Sequence, residues 1–300
     1  MTRLRKIDAA ATVTALILDK LRSGTAPWVR PWSTTGMRPA RYNGLAYTGI
    51  NTLYLWAVAD ARGYSSPYWM TARQARELGA AVRTGERNAI SVYYATARKK
   101  AVWGRSGEQG DQLFRFLKFY PVYNADQIEG LPAHYHPEPA DALPDPVEQR
   151  AGIEAFFEPI PVPVRHGGDR AYYSPATDYI QLPRSRHFES LDHYWSTRAH
   201  ECIHATGAAH RLKRQFGKRF GDKAYAFEEL VACLGQSFIS AELGLPASLH
   251  DSHASYIASW IDVLERDKSA IIHAAAKAEQ AVGWLRRFSM AAEVPAKRAA

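Results

Sequence analysis

At 300 residues, with 46% apolar and 23% charged side chains, the chain has the balance of an ordinary globular protein and room for two cored domains. It has no apolar run of 18 residues, and Met1 to Ile7 lead into no hydrophobic signal core, so neither a membrane span nor secretion is expected and a cytoplasmic protein is. The net charge of +8 is unevenly spread: residues 1–130 hold 19 Lys+Arg against 9 Asp+Glu, a net of +10, whereas 131–300 hold 19 against 21, a net of −2. A basic half that suits nucleic acid thus precedes a near-neutral half in which chemistry can sit.

In chain order, Asp8 can cap a helix with Val13, Leu16, Ile17 and Leu21 at helical spacing, stopped by Ser23 and Gly24. An extended Pro/Gly-rich stretch follows, in which rings and guanidinium groups alternate: Trp28, Arg30 and Trp32, then Arg38, Arg41, Tyr42 and Tyr47. Unpaired bases can stack on such rings while arginines hold phosphates, which makes these residues candidates for single-stranded DNA binding without sequence preference. A buried helix over 51–61 and a short helix over 72–78, capped by Thr71, come next. Residues 89–100 read as a strand, 104–111 as its turn and 112–122 as the returning strand, giving a long hairpin with Lys99, Lys100 and Arg105 near its tip. The turn glycines are not spaced for a phosphate loop, and no Gly-Lys-Ser/Thr follows.

Pro137 to Pro146 is rich in Pro, Ala and Asp and marks a linker, so the expected division is a domain over 1–130, a linker over 131–146 and a second domain over 147–300. In the second domain a helix over 148–157 precedes a short extended segment at 162–165 and a hairpin at 171–183, whose edge could accept an extended polypeptide. The stretch from Thr197 to Gly207 then reads His200-Glu201-x-x-His204 in a helical window. Histidines four apart lie on one helix face, so two imidazoles can point at one metal ion. Glu201 sits on the adjoining flank, where a carboxylate can act as a general base on water. Neutral nitrogen ligands, an open position and a base beside it are what a zinc hydrolase needs; manganese or another divalent ion could use the same donors.

Two sources offer a third ligand. His210 completes the spacing His200-Glu201-x-x-His204-x-x-Gly207-x-x-His210 seen in metzincins, but the downstream methionine which such a site would rest on, Met290, lies near the chain end. The acids Glu228 and Glu229 belong to a later helical window, and Glu229, bordering the apolar side made by Leu230, Cys233 and Leu234, is favoured over Glu228 and His210. Gly207 is expected to end the first helix in a left-handed conformation. The basic loop Arg211 to Arg214, with Lys218 and Arg219, is expected to be solvated. Cys202 and Cys233 read as small buried residues of a reducing compartment. His250, His253 and Tyr256 are candidate oxyanion donors, and helices fill much of 253–287.

Taken together, these motifs make the chain resemble the ArdC antirestriction family over nearly its whole length. The likeness rests on Gly24 to Trp28, Tyr47 to Leu53 and Arg73 to Gly79 in the first half, and on Ala171 to Tyr173, Asp178 to Pro183, His200 to Gly207 and Tyr225 to Ala232 in the second. The resemblance implies an α+β protein of two domains, a small single-stranded-DNA-binding domain with a long β-hairpin and a zincin-like metallopeptidase domain. It implies a plasmid-borne role in protecting single-stranded DNA from host restriction endonucleases during conjugation, and a third ligand from the Glu228-Glu229 helix. A zinc endopeptidase that destroys a host protein, such as a restriction subunit, and uses DNA binding for targeting is the competing expectation. Cys233 departs from the pattern, because an acid supporting the ligands is expected four residues after Glu229.

Overall fold

The computed structural model describes residues 9–24, 37–103, 108–137, 146–216, 223–245 and 253–292; over 9–10, 94–103, 108–117, 146, 223, 253–255 and 290–292 the description is of the backbone. The first helix, α1 (Ala9–Arg22), forms where Val13, Ile17 and Leu21 recur on one face, and all three are buried. After β1 (Ala40–Arg41) comes α2 (Ile50–Arg62), apolar on nearly every side and accordingly buried over most of its length. Gly63 ends it at φ 67°, a left-handed position that glycine adopts without a side-chain clash. Next are β2 (Tyr68–Met70), then α3 (Ala72–Glu77), which the Thr71–Gln74 capping box starts, and β3 (Ala81–Val82).

The long hairpin consists of β4 (Ala89–Trp103) and β5 (Glu108–Asn124), antiparallel from Ala89↔Val122 out to Trp103↔Glu108. Among the described residues, only the root of β5 has a second strand neighbour, since β2 pairs with it at Trp69↔Asn124 and Met70↔Tyr123 in a sheet of order β1-β2-β5-β4. Beyond that root the hairpin is a two-stranded ribbon, about 45 Å long at the usual rise per residue. β6 (Ile128–Glu129) pairs with β3.

The second half opens with α4 (Pro146–Phe157) and a three-stranded sheet of β7 (Val164–His166), β8 (Tyr172–Ser174) and β9 (Tyr179–Leu182), in the order β7-β9-β8. Against it lies α5 (Leu191–Thr206), followed by α6 (Lys223–Leu243), α7 (His253–Arg266) and α8 (Ala270–Ala292). Among the described residues, no helix is long and apolar enough to cross a membrane.

The N-terminal and C-terminal halves share one continuous core. Val13 and Ile17 of α1, Leu53 of α2, Ile203 of α5, Phe238 of α6, Trp260 of α7 and Leu285 of α8 belong to a single buried cluster. Arg38 fastens the two parts and so corrects its reading as a DNA-binding arginine. Its guanidinium is buried, bonding Glu242 at 2.6 Å, Glu279 at 2.5 Å and Thr52 at 3.2 Å, and it lies over the Phe238 ring at 4.7 Å. Glu279 also accepts the Gly49 N–H, so the carboxylates leave this arginine none of its charge for phosphate.

Candidate metal centre

The site is made where α5 crosses α6. Ser190 caps α5 by accepting the His193 N–H, and the buried stripe that follows includes His200, Glu201, Ile203 and His204. On α6 the facing residue is Gly235: a Cβ there would come within 2.7 Å of Ile203 Cδ1 and 2.8 Å of its Cγ1. Only a hydrogen in place of a side chain lets the helices approach this closely.

The approach brings two imidazoles and a carboxylate together. The Nε2 atoms of His200 and His204 are 3.1 Å apart, and Glu229 places Oε2 3.5 Å from the first and Oε1 3.4 Å from the second. Two donors on a tetrahedral ion at the usual zinc bond length of roughly 2.05 Å stand about 3.3 Å apart, so each of these contacts has the length of a metal's coordination edge, with one carboxylate oxygen of Glu229 facing each imidazole. No other group of three His, Cys, Asp or Glu side chains among the described residues converges in this way. His210 does not join it, being exposed with Nε2 3.3 Å from Asp178.

The outward nitrogens are held too. His200 Nδ1 lies 3.1 Å from Gln236 Oε1, and the Gln236 amide donates to Ser196 Oγ at 2.6 Å. His204 Nδ1 lies 3.3 Å from Glu228 Oε1. Glu228, an alternative third ligand from sequence, thus faces the far side of the imidazole. Partners of this kind fix which nitrogen of a histidine is left for a metal. The acid absent at Cys233 is thereby replaced: Gln236, one turn further on, supports one ring and Glu228 the other. Sequence reasoning missed Gln236, although its spacing of seven from Glu229 puts both on one face of α6. Cys202 and Cys233 are buried and form no disulfide; burial pushes the Cys202 thiol up to about 12.

Two further expectations are corrected here. Arg211 and Arg214 are not solvated. Arg214 is buried against Glu228, donating from Nη2 at 2.8 Å, and also bonds Thr206 Oγ1 and the Ile203 carbonyl. Arg211 clamps Asp178 through both terminal nitrogens, at 2.7 and 2.9 Å, and reaches the Ala205 carbonyl, which ties the β8–β9 turn to the end of α5. Gly207 is right-handed at φ −76°. Its glycine is needed for space, since a Cβ would meet Phe216 at 2.7 Å and the Arg214 guanidinium at 3.0 Å.

Glu201 is buried beside the two imidazoles, and the Tyr173 main chain in edge strand β8 bonds to it. Burial raises its carboxyl pKa against the lowering pull of both histidines. Burial alone would depress the His204 imidazolium, but Glu229, Glu228 and Glu201 outweigh it and push it up to about 10. Glu229 is affected the opposite way: the two histidines overcome its burial and hold it well below the usual carboxylate range. Tyr225 and Tyr256 have their hydroxyls 3.1 Å apart; burial raises both, their mutual hydrogen bond pulls Tyr225 down and Tyr256 up, and the Glu229 charge raises both further. His250 and the side chain of His253 lie outside the described residues.

The DNA-binding candidates are described only in part. Trp28, Arg30, Trp32 and Arg105, and the side chains of Lys99 and Lys100, lie outside the described residues. Arg41 is exposed and sits over the Tyr47 ring at 5.4 Å; Tyr47 is buried, and Tyr42 is half-buried against the smaller core cluster. What the sequence did not single out is the ribbon face. Residues directly opposite in an antiparallel pair share a side, so Tyr93 stands with Lys118, and Tyr120 follows two residues on. Tyr93 is 57% and Tyr120 44% exposed.

Comparison with known proteins fits this geometry. Residues 7–123 match the family described as the N-terminal domain of the anti-restriction factor ArdC, and residues 151–277 match a zincin-like metallopeptidase family. The uncharacterized protein y4eC of Sinorhizobium fredii is 37% identical over 287 residues, covering 93% of this chain and 91% of y4eC. DNA primase TraC of Escherichia coli is 35% identical over 294 residues, of which this chain spans 26% of TraC. Among solved structures, the metal-free antirestriction ArdC protein of plasmid R388 is 39% identical with a TM-score of 0.80, covering 95% of this chain and 99% of that one. Its Mn(II)-bound form is 38% identical with a TM-score of 0.76, covering 94% and 98%.

Proposed function

The chain belongs to the ArdC antirestriction family, and from that premise we propose that it coats single-stranded DNA without sequence preference, shielding incoming plasmid DNA from host restriction endonucleases in the bacterial cytoplasm during conjugation. The observation that carries this reading is the solvent-facing row of Tyr93, Lys118 and Tyr120 on a two-stranded ribbon in a half of net charge +10. Rings on a ribbon stack with any base, and basic side chains hold the backbone. On this reading Arg41 and Tyr42 are further candidate contacts, as are Trp28, Arg30, Trp32, Lys99, Lys100 and Arg105 by their residue type and place in the sequence. Tyr93→Ala and Tyr120→Ala should each weaken binding of an oligothymidylate by about 1–3 kcal/mol, with binding that falls as salt rises. Salt-independent binding, or two silent substitutions, would remove the reading.

The metal triangle favours a second activity. His200, His204 and Glu229 fit zinc, or manganese, by donor type and by edge length. When bound, such an ion supplies a Lewis acid that polarises a carbonyl and acidifies water. Gln236 and Glu228 orient the two rings, edge strand β8 offers its main chain to an extended polypeptide, and Glu201 takes a proton at its carboxylate during attack on the peptide carbonyl. The substrate on this reading is a host protein such as a restriction subunit, brought close by DNA. Glu201→Gln separates the two: it should leave metal and strand binding intact, and protection should be lost only if proteolysis is required.

A further inference from the structure

A second basic and aromatic surface lies in the zincin-like half, away from the metal triangle. Between the start of α4, strand β7 and the loop entering α5 is an open cavity of about 520 Å³. Arg150, Arg184 and Arg186 line it together with His166, Tyr194 and Trp195, and no carboxylate does. Arg150 shares its charge with Glu154 at 3.2 Å, while Arg184 and Arg186 are paired with no carboxylate among the described residues. In a half whose net charge is −2, arginines left together without acids are a local exception.

The aromatic wall is rigid. Trp195 lies parallel to Phe157, 5.4 Å between centroids, and Tyr194 braces it edge-on at 5.0 Å. His166 Nε2 in turn holds the Tyr194 hydroxyl at 3.0 Å. Trp195 remains half-buried and lines the cavity, with the Arg198 guanidinium 5.3 Å from its ring centre. Rigid rings lose little entropy when a flat partner is laid against them, and the volume is that of a small-molecule site. Tyr194 precedes His200 by six residues, about 9 Å along the helix axis, so the cavity is not the metal site.

We propose that this cavity is a second contact for single-stranded DNA, taking one nucleotide with its base against Trp195 and its phosphate between Arg184 and Arg186. It rests on the strand-coating reading and extends it: one strand would touch both the ribbon and the zincin-like half. The cavity is open to solvent, as a site on a continuing strand must be. The exposed arginines can be changed without touching the core.

The test uses the full chain, a 20-residue oligothymidylate and thymidine 5′-monophosphate, with binding followed across a salt series. Each phosphate contact to a single strand contributes about 0.7 to the slope of log K against log salt, so losing the one phosphate held by both arginines in Arg184→Ala/Arg186→Ala should lower the slope by about 0.7 and the affinity at 0.1 M salt by about 5-fold. Ultraviolet cross-linking of a 5-iododeoxyuridine strand should also yield an adduct on the peptide holding Trp195. If the wild type binds the strand and the double variant binds with the same slope, the site is refuted and the strand-coating reading stands. If the monophosphate loses binding in the variant while the strand does not, the cavity serves a free nucleotide and the shared path is refuted. No strand binding by the wild type at any salt refutes the reading and the site together.

Discussion

Replacing Gly235 with alanine tests whether the closeness of α5 and α6 sets the metal triangle. The new Cβ would stand 2.7, 2.8 and 3.2 Å from Ile203 Cδ1, Cγ1 and Cγ2. Carbon atoms rest at about 3.5–4.0 Å, so the helices must part by roughly 0.8 Å or Ile203 must leave its rotamer. Overpacking costs about 1–3 kcal/mol, and alanine in place of a helical glycine returns about 1 kcal/mol, which leaves a net loss of at most about 2 kcal/mol. The larger effect falls on the site, because Ile203 precedes His204 and the triangle edges are 3.1 to 3.5 Å. A site loosened by about 1 Å loses function, and tenfold or more in zinc affinity is expected. Ile203→Ala removes all three contacted atoms; alone it should cost about 2–5 kcal/mol, yet with Gly235→Ala the combined cost should fall short of the sum. Urea unfolding of the metal-free protein and competition titration with zinc provide both readouts. Wild-type metal affinity in Gly235→Ala, together with simple additivity, would refute the packing account.

Other outcomes follow from charge. In the metal-free protein the His204 imidazolium is raised from 6.5 to about 10, so its contribution to stability is complete below pH 6.5 and is lost as pH rises towards 10. A metal must displace that proton, so zinc affinity should climb about tenfold per pH unit over the same window; calorimetry in buffers of different ionisation enthalpy would detect the released proton, and none released would contradict it. Arg38→Met should destabilise the protein by about 3 kcal/mol, the low end for a broken buried pair, because Glu242 and Glu279 keep 23% and 20% exposure. The salt slope of DNA binding should not change in that variant; a reduced slope would return Arg38 to the DNA surface.

Much of the chain was legible because its signals are local. Helix α1 follows from Val13, Ile17 and Leu21, α3 from the Thr71 cap, and the pairing of His200 with His204 from a spacing of four. What was misread depends on partners far away in sequence. Arg38 sits in a run of rings and arginines that looks alike whether it meets phosphate or carboxylate, and its acids are 204 and 241 residues on. Arg211 and Arg214 stand in a loop whose composition suggests solvent, and only the fold supplies Asp178 and Glu228. Gly207 follows a helix as a left-handed cap would, but Phe216 and Arg214 claim the space instead. Tyr93 and Tyr120 could not be assigned outward, because Ala89 to Tyr94 does not alternate cleanly and the register decides the side.

X-ray absorption at the zinc edge of the reconstituted protein measures the proposed coordination directly. Two imidazole nitrogens and a carboxylate oxygen at about 2.0–2.2 Å are predicted, and one imidazole should disappear in His204→Ala. A first shell without imidazole scattering, or sulfur at about 2.3 Å from Cys233, would contradict the assignment of His200, His204 and Glu229 as the metal ligands.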